Sequence, residues 1–314
     1  MKNSVRVLAV LLFSLVAFAG TAPAEEMTST VVIDETFQKT NEWLRGKHLV
    51  LTGGPGNARD DTAAYRQEEI LFYGEAVGNP DHRTPAQKEM MAKRAAVVMA
   101  QRAIAEYLVG FALAGETNVD SLMGKSDAAR SAVMGFVKGT QVVFQEYNRD
   151  TDRAVAILKI GLHGTKGYAS SLYAKIGSDP AIQKEVATEK PAFRSSPVQL
   201  DQVYDGLIID ATEQDFRPAL INRIFTLKGE VLYDPAKVSQ KVLVEQGCGE
   251  YTNSVEKAKA VLASRGAKNP LLLKATGSLN KSDLQVNDED AVTVFSANQK
   301  ANFLSGAMVA FVLK

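Results

Sequence analysis

The chain has 314 residues, 46% of them hydrophobic and 23% charged, with 36 basic side chains balancing 36 acidic ones. That composition excludes wholesale disorder and offers no basic field for nucleic acid, and the length suits two domains of ordinary size. A single cysteine, Cys248, excludes an intramolecular disulfide.

The first residues, MKNSVRVLAVLLFSLVAFAGTAPAEE, combine Lys2 and Arg6, an apolar run from Val7 to Ala19, and the small-residue box Ala22-Pro23-Ala24. This is the pattern of a cleaved secretory leader, residues 1–24, with a mature chain expected to begin near Glu25 and to be periplasmic or secreted. The apolar run is too short to span a bilayer, so no transmembrane segment is expected in the mature chain. Residues 25–69 form a lead-in with a helix expected around FQKTNEWLRG.

From Ile70 the pattern sharpens. ILFYGEAVG reads as a strand stopped by Asn79-Pro80, and Thr84-Pro85 then supply a cap and a first helical residue. The following helix, running on to Gly115, places Met91, Ala95, Val98, Arg102 and Ala105 at helical spacing, with Ala92, Ala96, Met99, Ala103 and Leu108 beside them. Its buried face is expected to be alanine-rich, letting it lie close on a sheet. A shorter helix follows, SDAARSAVMGFVKG, capped by Ser126, and then two strands joined by the polar turn at 148–152. Strand, helices and hairpin in that order give an antiparallel sheet with helices on one face, a domain over 70–164. Residues 165–200, with Pro180, Pro191 and Pro197 and little apolar periodicity, read as a linker.

The last part, 201–314, again mixes strands and helices. Strands are expected at YDGLIIDA, INRIFTL, EVLYD, PLLLKATG, DLQV and GAMVAFVL, with Asp234-Pro235 starting a helical turn. Helices are expected at SVEKAKAVLASRG, stopped by Gly266, and at DEDAVTVFSANQKANFL, capped by Asn287 or Asp288. The fold class is therefore α+β, in two domains, each a mainly antiparallel sheet covered by helices.

Two resemblances rest on these residues. The run AVGNPDHRTPAQKEMMAKRAAVVMAQRAIAEYL with the YNRDTDRAVAILKIGL hairpin resembles the domain shared by small envelope lipoproteins of the LPP type and the N-terminal part of flagellar assembly protein T. That resemblance implies a non-catalytic α+β envelope module; the lipidated cysteine of the lipoproteins is missing here. The string Gly206–Ala211, Pro218–Leu220, Arg223, Ile224, Val231–Tyr233, Asn269–Ala275, Phe303 and Leu304 resembles a group of uncharacterised exported bacterial proteins.

Chemistry-bearing patterns are few. LTGGPGN lacks the Lys and Ser/Thr of a phosphate loop, no Gly-x-Ser-x-Gly elbow occurs, NDED at 287–290 lacks the spacing of a calcium loop, and His48, His82 and His163 are scattered. No catalytic residue, metal or cofactor is assigned. Asp210 ends an apolar strand before a polar loop, where its carboxylate can hold loop N–H groups. With Arg217 or Arg223 it could alternatively grip a polar ligand. Two functions follow: a non-catalytic exported envelope protein that assembles or interacts with other envelope or periplasmic proteins, or a periplasmic ligand-binding protein or hydrolase with a cleft at Asp210, Arg217 and Arg223.

Overall fold

The computed structural model describes residues 33–45, 70–81, 84–162, 164, 166–176 and 178–314. The leader, the glycine-rich 51–57 stretch and all three histidines lie outside the described residues. Strand β1 (Ile70–Val77) and the hairpin β4 (Gln141–Asn148) and β5 (Arg153–Ile160) form an antiparallel sheet in the order β1-β5-β4. Alternation along β1 sends Ile70 and Phe72 to one face and Leu71 to the other.

Helix α2 (Pro85–Val109) covers the first face. Its start is fixed by a reciprocal pair, Thr84 accepting from the Gln87 N–H while the Gln87 side chain accepts from the Thr84 N–H, with Pro85 in the first turn. It stops at Gly110, short of the expected end, and Ala112–Ala114 and Thr117–Asn118 make the small hairpin β2–β3 instead. The line that meets the sheet is Ala92, Ala96, Ala100, Ile104 and Leu108. Three alanines bring the helix so near that a Cβ added to Gly74 would fall on the backbone of Ala96 and Ala100. Met91, Val98 and Met99, which share the apolar periodicity, are exposed on the outer side, Val98 at 55%. The other face of the sheet, expected to carry no helix, is covered as well: Ile33, Phe37 and helix α1 (Gln38–Arg45) pack on Leu71, Val155 and Ile157, with Trp43 stacked on Phe144 at 5.4 Å.

Helices α3 (Val119–Lys125) and α4 (Asp127–Lys138) follow, the second capped by Ser126, whose hydroxyl accepts from the Ala129 N–H at 3.1 Å. The expected linker is a correction. It contains α5 (Tyr168–Ile176) and α6 (Pro180–Val186), and Tyr168, Leu172, Tyr173 and Ile176 are buried. The spacing of these four residues is helical, but the run is short and the prolines after it dominate the composition. Only the stretch after Val186 is extended, and part of that is tied down by Phe193 and Val231, bonded through Phe193 N–H to Val231 C=O and Val231 N–H to Pro191 C=O, both 2.8 Å.

The C-terminal part holds β6 (Gly206–Asp210), β7 (Ile224–Thr226), β8 (Val231–Tyr233), a short 3-10 turn at Pro235–Lys237, α7 (Gln240–Gln246), β9 (Glu250–Thr252), α8 (Val255–Ser264), β10 (Pro270–Lys274), β11 (Gly277–Leu279), β12 (Asp283–Val286), α9 (Asp288–Ala301) and β13 (Val309–Val312). The α+β, two-part layout holds. Strand direction in this part differs from the antiparallel expectation: the sheet β10-β6-β13-β9 is parallel throughout, and β11-β12-β7-β8 is mixed. Burial on both faces explains it. Ile208, Ala310 and Val312 pack under α8 through Ala258 and Leu262, while Leu207, Ile209 and Phe311 join the main core, so β6 and β13 are apolar without alternation. That main core runs continuously from the α2 face through α5 into the C-terminal sheets. Among the described residues no helix is long and apolar enough to cross a membrane.

Candidate functional site

Asp210 sits at the carboxyl end of β6, paired across the sheet with Lys274 and Val312. Its Oδ1 accepts the Thr212 hydroxyl at 2.6 Å and the Thr212 N–H at 3.0 Å, closing the loop on itself. Those two bonds, with Lys274 alongside, hold its carboxyl below the usual carboxylate range. Lys274 itself reaches Glu213 at 2.5 Å.

The other two candidates are elsewhere. Arg217 is exposed, its N–H bonded to the Lys281 carbonyl, and its charge helps to lower Asp215, chiefly held down by Lys281. Arg223 is buried, and its bonds are to groups other than Asp210. Its Nε meets Asp234 Oδ1 at 3.0 Å, its Nη2 donates to the Val186 carbonyl, and its backbone N–H donates to Asp283 Oδ1 at 2.8 Å. The three side chains therefore do not form one constellation.

The segment from Ala219 to Arg223, whose last three residues are expected to open the strand INRIFTL, is instead the joint between the two parts. Leu220 and Ile221 donate backbone bonds to Ala112 and Leu113 in β2, at 3.0 and 2.8 Å. The Leu220 carbonyl accepts the Tyr173 hydroxyl at 2.5 Å. Asn222 accepts from the Ala219 N–H at 2.8 Å and from the Tyr251 hydroxyl, and its amide donates to the Ser282 carbonyl. Cys248 is buried at this joint, 3.7 Å from the Tyr251 hydroxyl, and burial pushes its thiol up. A raised, buried thiol is a poor nucleophile.

Two acids crowd the Arg223 guanidinium and backbone. Asp234 takes the ion pair, whereas Asp283 is pushed up to about 6 by burial, with the Arg223 N–H and charge pulling the other way and the Asp234 charge adding to the rise. A buried ion pair is costly to break from one side.

Beside this pair lies a cavity of about 380 Å³ between α5 and α6 on one side and the 235–237 turn and α7 on the other. Tyr173, Ile176, Val186, Val238 and Leu243 give it an apolar floor, into which Asp234 sets one carboxylate; Gln183, Lys237 and Gln240 stand at the exposed mouth. From the sequence, Asp234 reads as the cap of a turn, and it does accept the Ala236 N–H at 3.1 Å. Its partner Arg223 sits eleven positions earlier, at the end of an irregular joint, and half of the wall comes from the segment read as linker. Among the described residues no three His, Cys, Asp or Glu side chains gather to hold a metal ion.

Residues 206–314 match the family model described as Treponema pallidum Tp0624, second domain, so the C-terminal part is similar to a domain of an uncharacterised bacterial family. No curated protein matches the chain.

Proposed function

We propose that the protein is a non-catalytic exported envelope protein that works as an assembly or interaction module, in the periplasm or outside the cell, with other envelope proteins as its partners. The observation that carries this reading is the outer face of α2. Met91, Ala95, Val98 and Met99 follow one another at helical spacing on the side away from the sheet, although the helix already buries a complete apolar line below. An amphipathic surface helix normally turns polar residues outward, and an exposed apolar stripe suits a protein contact. The leader-like N-terminus and the resemblance of this region to envelope lipoproteins and to flagellar assembly protein T favour an envelope or flagellum-associated partner. The internal commitments of Asp210 to Thr212 and of Arg223 to Asp234 leave those residues poorly placed for chemistry.

Crosslinking in intact cells, followed by purification of the tagged full chain, tests this. The expected result is a reproducible envelope protein recovered with the wild type and lost with Met91→Lys/Val98→Lys, while the circular dichroism spectrum and melting temperature of the variant stay unchanged. Recovery of the same protein with the double variant, or fractionation of the chain with cytoplasmic contents and Met1 retained, would overturn the reading.

A further inference from the structure

Beyond protein contact, we infer that the cavity between α5, α6 and α7 is a binding site for a small uncharged molecule with an apolar body and one O–H or N–H group, which donates to Asp234. The volume, about 380 Å³, falls within the roughly 300–1,000 Å³ of small-molecule sites, and its position at the junction of two parts is where such sites concentrate. The chemistry of the floor narrows the ligand. Ile176, Val186, Val238, Leu243 and the ring of Tyr173 offer no hydrogen bond to a polar body; the Tyr173 hydroxyl is already donated to Leu220.

Asp234 is the exception, and its two oxygens are not equivalent. Arg223 Nε and the Ala236 N–H both end on Oδ1, so Oδ2 remains an acceptor at a residue only 7% exposed. Oδ2 is open to the cavity rather than sealed in the core, so a ligand O–H or N–H can take the place of water as its donor. The Asp234 charge is already paired with Arg223 at 3.0 Å, so a cation finds no unpaired carboxylate on the floor, and an anion would face that carboxylate across apolar walls. An uncharged donor meets neither obstacle. The mouth residues Gln183, Lys237 and Gln240 are exposed and leave the entrance polar.

The test uses three probes of one shape: p-cresol, toluene and 4-methylbenzoate, titrated into the full chain with methyl groups of Ile, Leu and Val labelled for NMR. p-Cresol is expected to shift the methyls of Ile176, Val186, Val238 and Leu243 saturably. Toluene should bind at least about tenfold more weakly for want of the donor, and 4-methylbenzoate should shift none of them. Asp234→Asn could unfold the chain by stranding Arg223, so the blocking variant is Ala187→Trp, at an exposed lining position, expected to abolish the p-cresol shifts with the melting temperature unchanged. Equal affinity for p-cresol and toluene, binding of 4-methylbenzoate, absence of shifts up to millimolar p-cresol, or persistence of the shifts in Ala187→Trp would each overturn the inference.

Discussion

Replacing Asp283 by asparagine should stabilise the protein, and by an amount that depends on pH. Asp283 is buried, its Oδ1 taken by the Arg223 N–H, and its carboxyl sits at about 6 against an ordinary 3.8. A raised carboxyl means that the folded chain holds the proton more tightly than the unfolded chain does, so ionisation opposes folding. The penalty is absent below about pH 4, grows between about 4 and 6, and is complete above that. At 1.36 kcal/mol for each unit between the two states, it amounts to about 3 kcal/mol at neutral pH. The amide introduced by Asp283→Asn would keep an acceptor for Arg223 while never ionising. Urea unfolding of wild type and Asp283→Asn at pH 4.5 and 7.5 isolates the effect, because every other titrating group cancels in the comparison. The variant should gain about 2 kcal/mol relative to wild type on going from the lower to the higher pH, since about 1 kcal/mol of the penalty is already present at pH 4.5, whatever constant offset the amide introduces. A difference that does not change with pH, or that moves against the variant as pH rises, would refute the reasoning.

Gly74→Ala should cost more than about 3 kcal/mol or prevent folding, because the methyl falls on rigid helix backbone at Ala96 and Ala100; a melting curve within a degree or two of wild type would contradict the close packing. Asp210→Ala should cost about 1 to 2 kcal/mol through the Thr212 bonds, whereas Asp210→Asn, which can still accept both, should cost less than half of that by chemical denaturation. Since the carboxyl of Asp210 is lowered on folding, its contribution is present above pH 3.8 and is lost as pH falls through the lowered value, so wild type and Asp210→Asn should converge in stability in acid. Ser126→Ala should cost about 1 kcal/mol in thermal unfolding by leaving the Ala129 N–H of α4 unpaired at a buried cap.

The local chemistry of this chain is readable, and the choice between faces is not. Thr84, Ser126, Asn287 and the Asp234-Pro235 pair announce their caps, and each is found with its side chain on a backbone N–H. Along α2, by contrast, two apolar lines run at helical spacing, and periodicity cannot rank them. What ranks them is across the interface: Gly74 leaves room only for the line with Ala96 and Ala100. The unbroken apolar runs Leu207–Ile209 and Val309–Val312 carry the sign of a parallel sheet covered on both faces. Asp210, with a polar loop next in sequence, is the kind of acid whose partner is local and therefore legible. Arg223 is the opposite case, since its partners Asp234, Asp283 and Val186 come from three separate segments, two after it and one before.

The pairing of β6 has a bearing on how the chain reaches this fold. Leu207 is matched with Leu271 on one side and with Val309 on the other, so both neighbours of β6 lie far downstream of it. A chain delivered N-terminus first therefore presents β6 with two open apolar edges until β10 and then β13 arrive, and parallel pairing over such separations is slow. During that interval the strand is a template for pairing with other copies. Refolding from denaturant should accordingly be a contest between first-order closure by β13 and second-order capture by another molecule, won by the native sheet in dilute solution and lost as concentration rises.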